Sequence, residues 1–270
     1  MRRIVMKLRY LVSGLIMASL LLGACQPEVV EVIKEVPVEK IVEVEKIVEV
    51  EAPKSGKLKF TVPVEPDLLD PSVSSSRYDA VVISALYDAL VFRNNDGDYV
   101  PWLAESWDVS ADGLVWTFQL RSDVTFHDGT TLTAGDAAFS IIRAKTDPSD
   151  MVDLIKSIKS ARAIDDLTLE IKTEGPNPIL LNQLVQIFIM SESWAKANGC
   201  EVSYNWDAGE TSYCASAANG TGPFKITLRE QDVRTHFKRN KSWWGDHSTH
   251  NIEKIELLPI KNDATRVAAL

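Results

Sequence analysis

A hairpin pattern near the middle of the chain limits the fold more than any other feature of the sequence. Residues 109–120 read Val-Ser-Ala-Asp-Gly-Leu-Val-Trp-Thr-Phe-Gln-Leu, with the dipeptide Asp112-Gly113 at the turn. After the turn, every second position carries a large apolar residue, namely Leu114, Trp116, Phe118 and Leu120. An Asp-Gly pair beside such alternation is a strong signal for a β-hairpin. We expect the large aromatic residues of this region to lie in the core, namely Trp102, Trp107, Trp116 and Phe118.

Further strands and helices are predicted on both sides of this hairpin. A second hairpin is expected at 161–172 around Asp165-Asp166, and Thr133 with Asp136 forms the pattern of a helix capping box. Strands are predicted at 57–64, 224–229, 233–238 and 252–259, and helices at 79–92, from 133 to 142, at 179–186, at 191–197 and from Asn262 onward. Strands and helices mixed in this way indicate an α/β or α+β fold.

The N-terminus has the composition of an export signal. Four basic residues and no acidic residue precede and flank an apolar run at 11–22, which is too short to span a bilayer comfortably. The next residues, Leu22-Gly23-Ala24-Cys25, resemble the bacterial lipobox. We therefore predict that residues 1–24 are a lipoprotein signal peptide and that Cys25 carries the lipid that holds the protein to a membrane. The alternative is an uncleaved anchor with a chance cysteine.

Residues 25–56 are predicted to be a lipid-anchored linker. The hexapeptide Glu-Lys-Ile-Val-Glu-Val at 39–44 is repeated without change at 45–50. A period of six fits neither a coiled coil nor an isolated helix. Dense Glu and Lys favour a solvated, extended stalk rich in Val. A linker with no role beyond its length, and self-association through the Val/Ile edges, remain alternatives.

Composition and charge limit the function. The chain has 270 residues, 45% of them hydrophobic, which is typical of a globular protein and argues against wholesale disorder. Its formal charge is −9. Because residues 1–24 carry four basic residues and no acid, the mature chain would have a charge of −13. A chain this acidic has no overall electrostatic attraction to a phosphate backbone, so nucleic acid is not an expected partner.

Four sequence blocks resemble one known family. Residues 101–107 read Pro-Trp-Leu-Ala-Glu-Ser-Trp, and residues 120–129 read Leu-Arg-Ser-Asp-Val-Thr-Phe-His-Asp-Gly. The first block is Tyr-Asp-Ala-Leu-Val at 87–91, and the last comprises Asn-Gly-Thr-Gly-Pro-Phe at 219–224 with Arg-Asn-Lys-Ser-Trp-Trp-Gly at 239–245. In order and spacing these blocks resemble the family 5 extracytoplasmic solute-binding proteins of ABC importers, the peptide, dipeptide and nickel class. Asp123 replaces the usual glycine and Ala137 the usual valine.

The resemblance implies a periplasmic binding protein-like fold of type II. It implies that 57–270 is the first lobe, incomplete because the second lobe and the returning C-terminal strands are missing. The function implied is a lipid-anchored receptor in the cell envelope that binds peptides and delivers them to the permease and ATPase of an importer. No enzymatic activity and no cofactor are expected. Alternatives are a receptor for an oligosaccharide or metal chelate, and a sensory lipoprotein without a role in transport.

The predicted ligand contacts follow the first strand. Glu65, the three hydroxyls of Ser74, Ser75 and Ser76, and the neighbouring Arg77 and Tyr78 combine acceptors, a cation and an aromatic ring. Ligands of open α/β sheets bind beyond the carboxyl ends of strands, so these residues are the candidate ligand-binding set. The alternative is that they only form a capped helix entrance.

Two other clusters of residues could have either a chemical or a purely structural role. His127-Asp128 could be a general base with its orienting carboxylate, but no nucleophile pattern accompanies it, so a turn is expected. Asp246, His247 and His250 could bind a metal, although a solvated loop is the preferred interpretation. The segment 220–223, Gly-Thr-Gly-Pro, is too short for a phosphate-binding loop and is expected to form a tight turn.

Cys200 and Cys214 are the cysteines that remain after Cys25. They flank a polar loop in a protein predicted to be exported, where thiols can oxidise. We predict a disulfide between them, which would close a loop of about 15 residues. Their spacing excludes a zinc site of the CxxC type.

Overall fold

The structure is a computed structural model that describes residues 56–73 and 76–269. The predicted signal peptide, Cys25, almost all of the predicted linker, Ser74 and Ser75 lie outside the described residues. Within the described part, no helix is long and apolar enough to cross a membrane.

The described chain alternates strands and helices as a mixed α/β fold, in agreement with the predicted fold class. The strands are β1 (Gly56–Val62), β2 (Val91–Arg93), β3 (Tyr99–Pro101), β4 (Ala104–Val109), β5 (Val115–Leu120), β6 (Ile158–Ala163), β7 (Thr168–Thr173), β8 (Phe224–Glu230), β9 (Arg234–Arg239) and β10 (Ile252–Pro259). The helices are α1 (Arg77–Leu86), α2 (Ala134–Lys145), α3 (Val152–Ile155), α4 (Leu180–Leu184), α5 (Glu192–Ala197) and α6 (Asp263–Ala268).

The first sheet has the strand order β1-β10-β9-β8. Strand β1 pairs in parallel with β10, while β10, β9 and β8 are joined antiparallel. Helix α1 lies against this sheet, and the buried core between them includes Val62, Ile83, Leu86, Phe237 and Leu257. The parallel pairing of the first and last strands places the carboxyl end of β1 beside the last strand of the described chain.

The second four-stranded sheet has the order β4-β5-β7-β6, with every pair antiparallel. Both predicted hairpins are confirmed: β4 and β5 flank the Asp112-Gly113 turn, and β6 and β7 flank Asp165-Asp166. Phe118 and Trp116 are buried in the core under α2, as predicted. Trp102 and Trp107 are only partly buried and pack against the edge of that core.

The start of α2 follows from its sequence. Thr133 accepts a hydrogen bond from the Asp136 N–H, and the Asp136 carboxylate accepts one from the Thr133 N–H, which is the predicted capping box. The capping box thereby satisfies two backbone donors at the helix start. A similar cap at Asn262, which accepts from the Thr265 N–H, begins α6 where a helix was expected.

The helix predicted at 79–92 was wrong at both ends. Helix α1 begins at Arg77, because Ser76 caps it, and ends at Leu86. Residues 91–93 form the short strand β2 instead. The reason is a set of long-range contacts that apolar spacing does not encode. Asp88, just past the helix end, accepts hydrogen bonds from Trp102 Nε1 at 2.8 Å, Thr221 Oγ1 at 2.8 Å and Trp244 Nε1 at 3.1 Å.

The segment 220–223 packs tightly on the C-terminal end of α1. The Gly222 N–H donates to the Leu86 carbonyl at 3.0 Å. A Cβ at Gly220 would overlap the Leu86 carbonyl oxygen, and a Cβ at Gly222 would lie 2.5 Å from the Leu86 carbonyl carbon. Glycine is therefore required here by the close approach of two backbone segments.

Candidate ligand-binding site

A cavity of about 310 Å³ opens beyond the carboxyl end of β1. It lies where the chain leaves the strand, and loops from three distant parts of the chain surround it. This is the size range of small-molecule pockets. Its described lining residues are Asp67, Leu68, Val73, Ser76, Asp79, Pro148, Asp150, Tyr204, Asn205, Trp206 and Asp207.

Three of the lining residues form a small apolar cluster. Leu68, Val73 and Tyr204 are buried against one another, with Ala215 packed alongside. Leu68 and Val73 come from the loop after β1, and Tyr204 comes from the loop after α5. The first turn of α1 supplies Ser76 and the buried Asp79.

A buried ion pair holds the loop after β1 against α2. Arg143 donates from both terminal nitrogens to the two oxygens of Asp70, at 2.7 and 2.6 Å, and neither side chain is exposed. Arg143 Nε donates to the Cys200 carbonyl at 2.8 Å, and the Asp70 carboxylate also accepts from the Ser72 N–H at 3.0 Å. A bidentate pair reinforced by these backbone hydrogen bonds fixes the distance between the segments.

Cys200 and Cys214 are joined in the structure as a disulfide, with Cα atoms 6.2 Å apart. The closed loop carries Tyr204, Asn205, Trp206 and Asp207 to the cavity. Because Arg143 binds the Cys200 carbonyl, the base of this loop and the loop after β1 share one anchor.

Glu65 is buried and does not line the cavity. Its side chain is 2% exposed and lies 3.4 Å from Arg229 Nη1. Burial raises the pKa of the Glu65 carboxyl, and the Arg229 guanidinium partly offsets that rise. Arg229 also donates to the Pro66 carbonyl at 2.5 Å and to the Asp67 carbonyl at 3.1 Å, so the pair positions the loop backbone.

The other predicted ligand residues are placed as follows. Ser76 lines the cavity, and its hydroxyl accepts from the Tyr78 N–H as the cap of α1. Arg77 and Tyr78 are exposed in the first turn of that helix and do not line the cavity. Ser74 and Ser75 lie outside the described residues.

Sequence reasoning missed most of the polar lining. Asp67 and Asp79 flank the predicted set within two residues, but Asp150 and the segment 204–207 lie far away in the chain. The only signal for 204–207 was its place in a polar loop between two cysteines. No local pattern indicates that this loop meets the end of β1.

The His127-Asp128 pair does not have the geometry of a base and its orienting acid. His127 Nε2 lies 3.1 Å from the Gly222 carbonyl, and Asp128 accepts from Thr130 and Asn219. Burial lowers the pKa of His127 to about 4, so the ring is neutral near pH 7. Since the Gly222 oxygen is an acceptor, Nε2 carries the hydrogen.

The Asp246, His247 and His250 side chains bind separate protein groups. Asp246 accepts from the Ser248 N–H, and the His247 ring lies 2.8 Å from the Trp243 carbonyl. His250 Nδ1 is contacted by Arg239 at 2.9 Å and accepts from the Ile252 N–H at 3.1 Å. The structure therefore does not direct the three side chains to one point.

The chain is similar to known solute-binding proteins. The chain matches the model of the bacterial extracellular solute-binding proteins, family 5, middle region, over residues 98–270. The dipeptide-binding protein of Escherichia coli (strain K12) is 30% identical over 194 residues, which cover 64% of this chain and 35% of that protein. The nickel-binding periplasmic protein of the same organism is 29% identical over 213 residues, covering 77% and 37%.

A solved structure is similar over the same region. The ABC transporter-associated periplasmic binding protein DppA from Helicobacter pylori, in complex with the peptide STSA, has a TM-score of 0.68 and 29% sequence identity. The match covers 80% of this chain and 44% of that chain. The chain therefore spans less than half the length of each of these relatives.

Proposed function

The chain belongs to the family 5 bacterial extracellular solute-binding proteins, and from that membership we propose that it is the solute receptor of an ABC importer that takes up peptides. The observation that carries the proposal is the cavity beyond the carboxyl end of β1, with its lining of carboxylates, an amide and aromatic rings. The dipeptide-binding relative and the peptide-bound DppA structure support peptides as the solute class. The receptor performs no bond chemistry.

Peptide binding at this cavity would require little rearrangement of the loop after β1. The loop after β1 is held by Glu65–Arg229 and by Asp70–Arg143, so its polar groups are in place before a ligand arrives. A preorganised binding site lowers the entropic cost of binding. Residues 57–270 would form this first lobe, and a second lobe would complete the site. Closure on the ligand would then select the state that the permease and ATPase recognise.

Calorimetry tests the choice of ligand. The mature protein, as its gene encodes it, is titrated with tri-alanine, with maltotriose and with a nickel–histidine complex. The proposal predicts heat from tri-alanine alone. Binding of the sugar or the nickel complex, without the peptide, would replace the peptide receptor with one of the two alternative receptors. A sensory lipoprotein would bind the peptide without supporting its uptake, so uptake of labelled tri-alanine is measured in cells with and without the gene.

We also propose that residues 1–24 are removed as a signal peptide, that Cys25 is lipidated and that residues 25–56 tether the lobe to the cell envelope. The basic start, the apolar run at 11–22 and the Leu-Gly-Ala-Cys sequence at 22–25 support this. Growth with labelled palmitate should label the protein, and Cys25→Ala should abolish the label. A labelled Cys25→Ala protein would contradict the assignment, and an unlabelled parent protein would contradict lipidation altogether.

A further inference from the structure

Four lysines form a row across all four strands of the first sheet. The paired residues are Lys57 of β1 with Lys254 of β10, Lys254 with Lys238 of β9, and Lys238 with Lys225 of β8. Residues directly opposite each other on neighbouring strands lie on the same face of a sheet, and successive residues lie on opposite faces. Phe237, next to Lys238, belongs to the buried core against α1. The lysine row therefore lies on the face turned away from α1.

Most of the lysine row is available to a partner. Lys57, Lys238 and Lys254 are exposed. Among the described residues, Lys57 forms an ion pair with Glu256, whereas neither Lys238 nor Lys254 has a carboxylate within ion-pair distance. Lys225 is half-buried and donates to a backbone carbonyl at 2.7 Å. Two ammonium groups in the middle of the row are thus without a counter-charge from the described part of the chain.

The arrangement is unfavourable for the isolated lobe. Like charges directly opposite each other on neighbouring strands are destabilising. Burial, and then the charge of Lys238, lower the pKa of Lys225, which agrees with this repulsion. The chain has 38 acidic residues against 29 Lys and Arg, so a row that contains only lysines contrasts with the rest of the protein. Contact with a negatively charged partner would relieve the repulsion.

The shape of the row indicates the kind of partner. Neighbouring strands are about 4.8 Å apart, so four paired residues span about 14 Å along the surface of a sheet. Ammonium groups spread along such a line do not enclose a small anion, but each can meet a separate negative group. The headgroups of anionic phospholipids present negative charge over an extended surface, and each lysine close to that surface contributes to binding.

The position of the row relative to the proposed tether favours a membrane over other anionic surfaces. Strand β1 begins at Gly56, and the first lysine of the row is the next residue. A lipid at Cys25, followed by residues 26–55, would therefore hold the lobe to the membrane from one end of the row. Such a linkage raises the effective concentration of the row at the lipid surface.

We propose that the face of the first sheet that carries Lys57, Lys238 and Lys254 docks on the anionic surface of the membrane to which the lobe is tethered. The proposal goes beyond the proposed function, because it assigns a second binding surface and an orientation to the receptor. Docking through this face would turn α1 away from the lipid. Lys57 is at the start of β1 and the cavity lies beyond the end of that strand, so the cavity would remain open to solvent.

The test is sedimentation with lipid vesicles. The mature protein, as its gene encodes it from residue 25 onward, carries Cys25→Ala so that no attached lipid contributes. It is mixed with vesicles of equal parts phosphatidylglycerol and phosphatidylcholine, or of phosphatidylcholine alone, at an ionic strength of about 0.01 M, where the Debye length is about 30 Å. Binding is expected only to the anionic vesicles and should decline at about 1 M salt. Lys238→Gln with Lys254→Gln should weaken that binding about tenfold or more.

Lys156→Gln with Lys159→Gln is the matched control, because both lysines are exposed and lie outside the first sheet. It removes the same charge and should leave vesicle binding within about twofold of the parent. The row variant is expected to fold, since it removes like charges from exposed positions. Urea unfolding of both variants checks this.

A parent protein that does not bind anionic vesicles would overturn the proposal, and so would equal losses for the row variant and the control. Zero-length cross-links from Lys238 or Lys254 to a glutamate within residues 25–55, in a parent that does not bind vesicles, would assign the row to the linker instead. No solute and no attached lipid enter the measurement, so either failure would leave the peptide receptor and the lipid anchor as they stand.

Discussion

Replacing Arg143 with methionine should destabilise the protein far more than any surface substitution. Methionine keeps most of the length of the side chain but leaves the carboxylate of Asp70 in a fully buried position without its cation. Removing one partner of a buried ion pair costs about 3–5 kcal/mol, because the remaining charge is not compensated. The carbonyl of Cys200 also loses its donor. Since domains have free energies of unfolding of about 5–15 kcal/mol, this is a large part of the total.

The assay is urea unfolding followed by tryptophan fluorescence, with linear extrapolation of the free energy of unfolding to water. Arg121→Met is the matched control, because Arg121 forms a partly exposed pair with Asp123 at 2.9 Å. Exposed pairs contribute about 0–1 kcal/mol, so the control should stay within that range. The double variant Asp70→Asn with Arg143→Met should recover part of the loss, since no buried charge remains.

Equal losses for Arg143→Met and Arg121→Met would refute the reasoning. So would a double variant whose loss equals the sum of the losses measured for Arg143→Met alone and for Asp70→Asn alone, because the two residues would then be energetically independent. Either result would mean that the buried pair does not hold the loop after β1 on α2.

Three further predictions follow from local contacts. Reduction of the Cys200–Cys214 bond should lower the free energy of unfolding by about 3 kcal/mol; labelling of both thiols in the unreduced folded protein would contradict the bond. Burial lowers the folded-state pKa of His127 to about 4, so the unfolded state binds the extra proton first and stability should fall by about 2 kcal/mol as the pH falls from 6.5 to 4. His127→Gln should flatten this slope in urea unfolding, and an unchanged slope would assign it to other groups. Gly220→Ala should cost about 2 kcal/mol or more, because its Cβ overlaps the Leu86 carbonyl, whereas Gly175→Ala, which has no atom within 4 Å of its Cβ, should be nearly neutral in the same assay.

The elements that the sequence predicted well are those with a local cause. The Asp112-Gly113 turn, the Thr133/Asp136 capping box and the Asn262 cap each depend on residues within a few positions of one another. Such signals act through the backbone of their own segment, so distant residues do not change the outcome.

The end of α1 and the composition of the cavity could not be predicted for the opposite reason. The apolar spacing continues past Leu86, but Asp88 turns to the indole groups of Trp102 and Trp244, which are far along the chain. The cavity likewise depends on Arg143, which binds Asp70 on one side and the Cys200 carbonyl on the other. These contacts join residues that are distant in the sequence. The apolar spacing of a single segment therefore does not predict them.

The predicted ligand-binding residues lie close to the cavity in the sequence, but they include few of the residues that line it. Ser76 does line the cavity, and Asp67 and Asp79 are near neighbours of the predicted residues. Glu65 was chosen for its charge, yet its carboxylate is buried against Arg229. A sequence shows which residues carry charge, but burial decides which of them a ligand can meet.

Hydrogen–deuterium exchange of the mature protein, with and without a saturating tripeptide, tests the central claim most directly. The ligands are tri-alanine and Ala-Arg-Ala, and protection is measured along the whole chain. The account predicts slower exchange at 63–73 and 203–210 when a peptide is bound, because these segments form the cavity beyond β1. Peptide binding that protects other segments and leaves both of these unchanged would contradict the placement of the solute site.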